Sequence, residues 1–258
     1  MSTTTGAPLR VPRRHDPALT IWTVAGLCWV GTVVLALTGG HELAHHDAVL
    51  EESTLAWPLR ITAFLAVWLV MVAAMMLPTV MPLVRLFGPV SARAPRPRAA
   101  RAGFYLGYLT VWTAFGPVAL FGDAGIHRLV DTWPWLDERS GLVLAATLAL
   151  AGAFQFSPLK NRCLSVCRDP ASFLWQHYRR GAGGGWRLGL GHGLYCLGCC
   201  WALMLVMFAV GVSSLAWMLA LTGVMLVEKT TRFGARLVAP VGVALLAGAA
   251  VVAVPALL

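Results

Sequence analysis

Charge is what this sequence has least of. Lys and Arg number 20 and Asp and Glu only 11 among 258 residues, so 12% of the chain is charged, against 58% that is hydrophobic. That polar surface is too small to cover a soluble globule, and a mean hydropathy of +0.72 makes a bilayer the natural solvent. Short segments of strict apolar and polar alternation are also missing, which excludes a transmembrane β-barrel. No phosphate-binding glycine loop, no Ser/His/Asp order and no nucleic-acid motif is present, which excludes ATP-driven pumping within the chain and nucleic acid as a partner. No small-residue cleavage site follows the apolar run Ile21 to Leu37, so that run reads as a first membrane helix.

What is present is a series of long apolar runs. Seven can be drawn: Thr20 to Thr38, Arg60 to Pro82, Phe104 to Phe121, Gly141 to Ser157, Leu188 to Val210, Ser214 to Val227 and Leu237 to Val254. Each must satisfy its backbone internally across about 30 Å of hydrocarbon, so the expected fold is all-α, a polytopic transmembrane helix bundle of about seven spans. The N-tail, the Arg85 to Arg101 loop, the Lys160 to Arg187 loop and Lys229 to Arg236 hold 17 of the 20 basic residues, all on one side. The other side takes Arg60, Arg128 and Arg139 with 8 of the 11 acids. By the positive-inside rule the N-terminus is expected in the cytoplasm.

The expected organisation is a cytoplasmic tail over residues 1–19 and one membrane domain over 20–258, with a cysteine-bearing cytoplasmic loop at 158–187. Ala92 to Arg101, reading ARAPRPRAAR, is expected to be a solvated basic linker near anionic headgroups. Trp22, Trp57, Trp133, Trp135 and Trp186 fall near the expected interfaces, where indoles anchor. The setting is the plasma or inner membrane, crossed several times, with the lipid bilayer as first partner.

The chemistry-bearing run is His192-Gly-Leu-Tyr-Cys196-Leu-Gly-Cys199-Cys200-Trp-Ala-Leu-Met204 in the cytoplasmic half of the fifth apolar run. Residues three and four apart share a helix face, so His192, Cys196, Cys199, Cys200 and Met204 form one stripe. A nitrogen, three thiols and a thioether suit Cu(I), and the thiolates also suit Zn(II). Cys163 and Cys167 follow Pro158, on a short interfacial helix expected to turn both thiols to one face and Lys160, Arg162 and Arg168 to the other. All five cysteines lie on the reducing side, which argues against disulfides, while Cys28 stands alone in mid-span. Met75 and Met76, beside Pro78 in the second run, offer thioethers to the same side. Glu228, at the end of the sixth run, and Lys160 are candidates to close the site from behind. The many glycines from Gly181 to Gly198 would let neighbouring helices approach closely. Outside the membrane, His41 and His45 are four apart in a loop read as solvated.

Pro158-Leu-Lys160, Cys163-Leu-x-x-Cys167-Arg168, Gly189-x-x-His192-Gly193-x-x-Cys196-x-Gly198-Cys199-Cys200-Trp201-x-Leu-Met204, Met75-Met76-x-Pro78 and Glu228-Lys229 together give the chain a family likeness. It resembles the DUF2182 family of predicted metal-binding integral membrane proteins. The resemblance implies a polytopic metal-binding protein. One departure is Ser213-Ser214 after Gly211-Val212, where the family pattern has Met-Asn, which withdraws a thioether from that edge.

Three functions fit these residues. The leading expectation is a membrane protein that binds Cu(I) at a cytoplasm-facing Cys/His/Met site and takes part in copper handling or delivery, with a copper protein or copper chaperone as its partner. The second is a membrane enzyme using thiol redox or a metal-bound water, which requires a pocket beside the thiols. The third is a scaffold subunit whose closed Zn(II) site, with four ligands, only fixes helix packing.

Overall fold

The computed structural model describes residues 17–38, 56–210 and 214–257. The N-terminal tail up to residue 16 and the His41/His45 loop lie outside the described residues. All regular structure among the described residues is helical: α1 (Pro17–Leu37), α2 (Trp57–Ser91), α3 (Pro97–Thr132), α4 (Pro134–Asp137), α5 (Gly141–Gln155), α6 (Pro158–Arg168), α7 (Pro170–His177), α8 (Gly181–Val210), α9 (Leu215–Thr230) and α10 (Gly234–Leu257).

Five of these helices, α1, α2, α3, α8 and α10, are long and apolar enough to cross a membrane, and six spans result if α5 and α6 count as one bent unit. The expected seven are therefore not all there as full-length helices. The sixth apolar run forms α9, whose 16 residues extend about 24 Å, short of a hydrocarbon core. The fourth run stops after the 15 residues of α5, and the chain turns by 63° into α6. The turn has a local cause. Ser157 takes an extended conformation, its hydroxyl accepts from the Lys160 backbone N–H at 3.0 Å, and Pro158 at the first helical position has no N–H to lose. Asp169 caps α7 in the same way, accepting from Ser172 N–H at 3.0 Å.

Two helices run further than the apolar runs indicate. Pro78, Pro82 and Pro89 all lie inside α2, which continues to Ser91. The expected basic linker is shorter than read, because α3 already begins at Pro97, with proline at the helix start. Large apolar side chains such as Leu27, Leu37, Leu106, Val118 and Val251 face outward, as lipid-facing residues do.

The bundle is built around α8, which packs on α3, α6, α5 and α9. Its start depends on Gly181, at φ +86°, where a side chain would be strained. The α3/α8 seam brings two small-xxx-small patterns face to face, Gly103 and Gly107 on α3 against Gly185 and Gly189 on α8. A Cβ at Gly107 would overlap the Trp186 carbonyl, and one at Gly189 would overlap the Phe104 carbonyl. Close backbone approach on this seam is therefore enforced by the sequence. Gly107→Leu and Gly189→Leu are expected to lower the melting temperature of the detergent-solubilised protein sharply, while Gly122→Leu, where nothing lies within 4 Å, leaves it unchanged; tryptophan fluorescence during a thermal ramp distinguishes the two outcomes.

Candidate metal centre

One face of α8 carries the thiols inward. His192, Cys196, Cys199 and Cys200 are all buried, as the spacing of three and four residues predicts. Cys199 and Cys200 donate to the Cys196 carbonyl at 3.1 and 2.8 Å, which folds both thiols back along the helix. The amphipathic helix α6 lies across this face with Cys163 and Cys167 buried against it. Gly198 makes room for the crossing, since a Cβ there would come within 2.7 Å of Cys163 Sγ. The result is a sulfur pair joined across two helices: Cys167 Sγ and Cys199 Sγ stand 4.0 Å apart.

A second grouping forms around Cys196. The ammonium of Lys229 on α9 lies 3.1 Å from Cys196 Sγ, 3.6 Å from Cys200 Sγ and 3.9 Å from Met76 Sδ on α2. The Tyr108 hydroxyl on α3 is also 3.1 Å from Cys196 Sγ. Both groups can donate to a sulfur that has lost its proton, the form a metal binds. Five helices therefore contribute to one sulfur-rich interior: α2, α3, α6, α8 and α9.

Behind the thiols, Lys160 Nζ donates to Glu228 Oε2 at 2.7 Å, with both side chains almost wholly out of solvent. Lys160, named with Glu228 as a candidate behind the thiols, was expected on the basic face of α6, away from the cysteines. It lies instead on the buried face with Cys163, Leu164 and Cys167, because Glu228 is there to neutralise it. Arg162 remains exposed, and Arg168 donates to the carbonyls of Thr231 and Arg232 at 3.3 Å, tying the end of α6 to the chain after α9.

The remaining sequence candidates are distributed around these pairs. The His192 ring is flanked by Tyr108 and Phe173, at centroid distances of 6.3 and 5.5 Å, and its Nδ1 is buried without a hydrogen-bond partner. Met75 and Met204 are fully buried on α2 and α8. Cys28 is half-buried on α1, and all six cysteines are free thiols. Among the described residues, no three His, Cys, Asp or Glu side chains converge on a common point. The described thiols thus do not form one cage; the closest cross-helix sulfurs are the Cys167/Cys199 pair.

Two residues at the site escaped the sequence reading. Tyr108 sits in an apolar run with only its neighbouring glycine to mark it. Lys229 was visible beside Glu228, but their roles are divided, the acid pairing with α6 and the lysine turning to the sulfurs.

The model of the PpoB2 copper chaperone family matches residues 65–252, a stretch that includes every residue of both sulfur groupings. The chain belongs to that copper chaperone family. The match gives the motif resemblance a metal and carries a different family name from the one read in the motifs. No curated protein and no solved structure matches the chain. Membership of a copper family, a cysteine-rich interior and five or six membrane-length helices agree with copper handling by a membrane protein.

The ion pair under the thiols can be tested directly. Glu228→Gln leaves the Lys160 ammonium buried without an anion, a change that costs about 3–5 kcal/mol in buried pairs. The variant is expected to melt well below the wild type in detergent. The double variant Lys160→Met with Glu228→Leu is expected to recover most of the loss, and equal melting of all three proteins would contradict the pairing.

Proposed function

We propose that this chain is a membrane-embedded copper chaperone that holds Cu(I) as cargo between buried thiolates at the cytoplasmic ends of its helices and passes it to a copper-binding partner protein. The observation that carries the reading is the Cys167/Cys199 pair, two thiols from different helices with sulfurs 4.0 Å apart. A metal about 2.3 Å from each sulfur spans at most about 4.6 Å, so the pair is already spaced for one ion. Thiolates and thioethers select Cu(I) over harder metals, and a closed-shell monovalent ion is content with two or three soft ligands.

In this reading Cys167 and Cys199 hold the ion, Cys196 and Cys200 are the neighbouring thiols of α8 to which it can pass, Cys163 lies on the loop side, and Met76 offers a thioether. His192, Met75 and Met204 are further donors within the same bundle. The excess of basic residues on the side of α6 and of the α8 N-terminus supports thiols at the reducing face of a plasma or inner membrane, in a single membrane domain with a cytoplasmic N-terminus. Pairwise donors favour delivery over permanent holding, because an ion bound by two sulfurs leaves room for an incoming ligand from the partner.

The competing readings are less well supported. A structural Zn(II) site needs four converging ligands, and no three of the described His, Cys, Asp or Glu side chains converge. A thiol enzyme needs a substrate pocket at the sulfurs, and the cavity of about 380 Å³ lined by Ser165, Asp169, Phe173, His177 and Tyr195 among others does not supply one.

Anaerobic purification followed by Cu(I) loading and metal analysis tests the proposal. The wild type and Cys28→Ser are expected to retain copper through gel filtration, whereas Cys167→Ser and Cys199→Ser each lose at least half of it. Equal loading of all four proteins would overturn the assignment.

A further inference from the structure

The thiols of α6 and α8 are set back from water: Cys163 is 7% exposed, and Cys167, Cys196, Cys199 and Cys200 are less so. The cavity of about 380 Å³ draws its wall from the helices that carry them, with Ser165 on α6, Asp169 at its end, Phe173 and His177 on α7 and Tyr195 on α8. Ser165, Asp169 and His177 are exposed, so the cavity is in contact with solvent. His177 is arranged as metal-binding imidazoles are. Its Nδ1 lies 3.0 Å from the Phe173 carbonyl, which can only accept, so this nitrogen carries the proton and the neutral ring keeps its lone pair on Nε2. The same ring stacks on Phe173 with centroids 4.5 Å apart, and Phe173 lies 5.5 Å from the ring of His192. Phe173 and His192 are buried, and His192 Nδ1 is the orphaned ring nitrogen described above. Two imidazoles therefore stand against one phenyl ring, one on the cavity wall and one on the thiol-bearing face of α8.

We propose that His177 is an outer copper ligand and that the cavity beside it is the port at which Cu(I) is exchanged with a donor or acceptor, Phe173 separating this port from His192 and the thiols. This role rests on the copper reading above and deepens it. Imidazole binds copper, and thiolates select Cu(I) more strongly, so an ion received on His177 is passed inward rather than kept. His192 suits the next position, because a buried nitrogen without a partner gains one when the ion arrives. Four residues further along α8 comes Cys196, on the same face. Copper stays monovalent throughout and only exchanges ligands. Phe173 is a positioning residue: its carbonyl fixes the His177 ring and its side chain stands where the ion must pass.

The test follows Cu(I) transfer from a chromophoric chelator to the full chain in detergent, under anaerobic conditions, by stopped-flow absorbance. His177 is exposed, so replacing it leaves the packed interior intact. His177→Ala is expected to slow uptake by about fivefold or more while the copper bound at the end equals that of wild type, and His177→Met, which restores a soft donor, is expected to return the rate to within about twofold. His127→Ala removes an exposed histidine with the same bond to the carbonyl four residues earlier, on α3, and is expected to change nothing. Phe173→Ala is expected to speed uptake, and where that variant does not fold the His177 series decides alone. An unchanged rate in His177→Ala would overturn the proposal, as would a loss of final copper in that variant or equal slowing by His127→Ala. A wild-type protein that takes up no Cu(I) would instead remove the copper reading on which the port stands.

Discussion

The Lys160–Glu228 pair ties together everything that gives this bundle its chemistry. Glu228 lies on α9 and Lys160 on α6, so the pair joins these two helices through a buried ion pair. Docking α6 brings Cys167 to 4.0 Å from Cys199 and seats Cys163 over Gly198. It also takes up the Glu228 carboxylate, which leaves the adjacent Lys229 facing sulfur. Burying an ion pair is rarely a gain in stability compared with apolar packing of the same volume. Its retention here goes with what it positions.

The arrangement also depends on α8 being thin. Glycines at Gly185 and Gly189 let α3 approach until backbones touch, and Gly198 makes room for the Cys163 side chain of α6. One helix can then be contacted by four others while its Cys face stays shielded from lipid and water. Tyr108 reaches Cys196 only because the α3/α8 seam is so close. Packing and site chemistry are therefore two consequences of the same small residues.

The helical class and the membrane-length apolar helices were legible in the sequence because long apolar runs have no other stable form in lipid. The buried face of α8 was legible too, since the spacing of His192, Cys196, Cys199 and Cys200 fixes which residues share a face. What could not be read was which helix each face meets. Spacing put Lys160 with the basic residues of α6, and only the presence of Glu228 on another helix explains why it turns inward. The same holds for Lys229 and Tyr108, whose partners are 33 and 88 residues away in the chain. The run lengths misled where local chemistry overrode hydropathy. The α2 helix runs on past Pro82 to Ser91, and α3 begins at Pro97, inside the expected linker.

The central claim is that copper sits among the buried sulfurs of α6, α8 and α2. X-ray absorption at the copper edge of the Cu(I)-loaded protein reads the donor atoms directly. The account predicts a shell dominated by two or three sulfur neighbours at about 2.3 Å, with at most the His192 nitrogen beside them. A shell dominated by nitrogen or oxygen would contradict it.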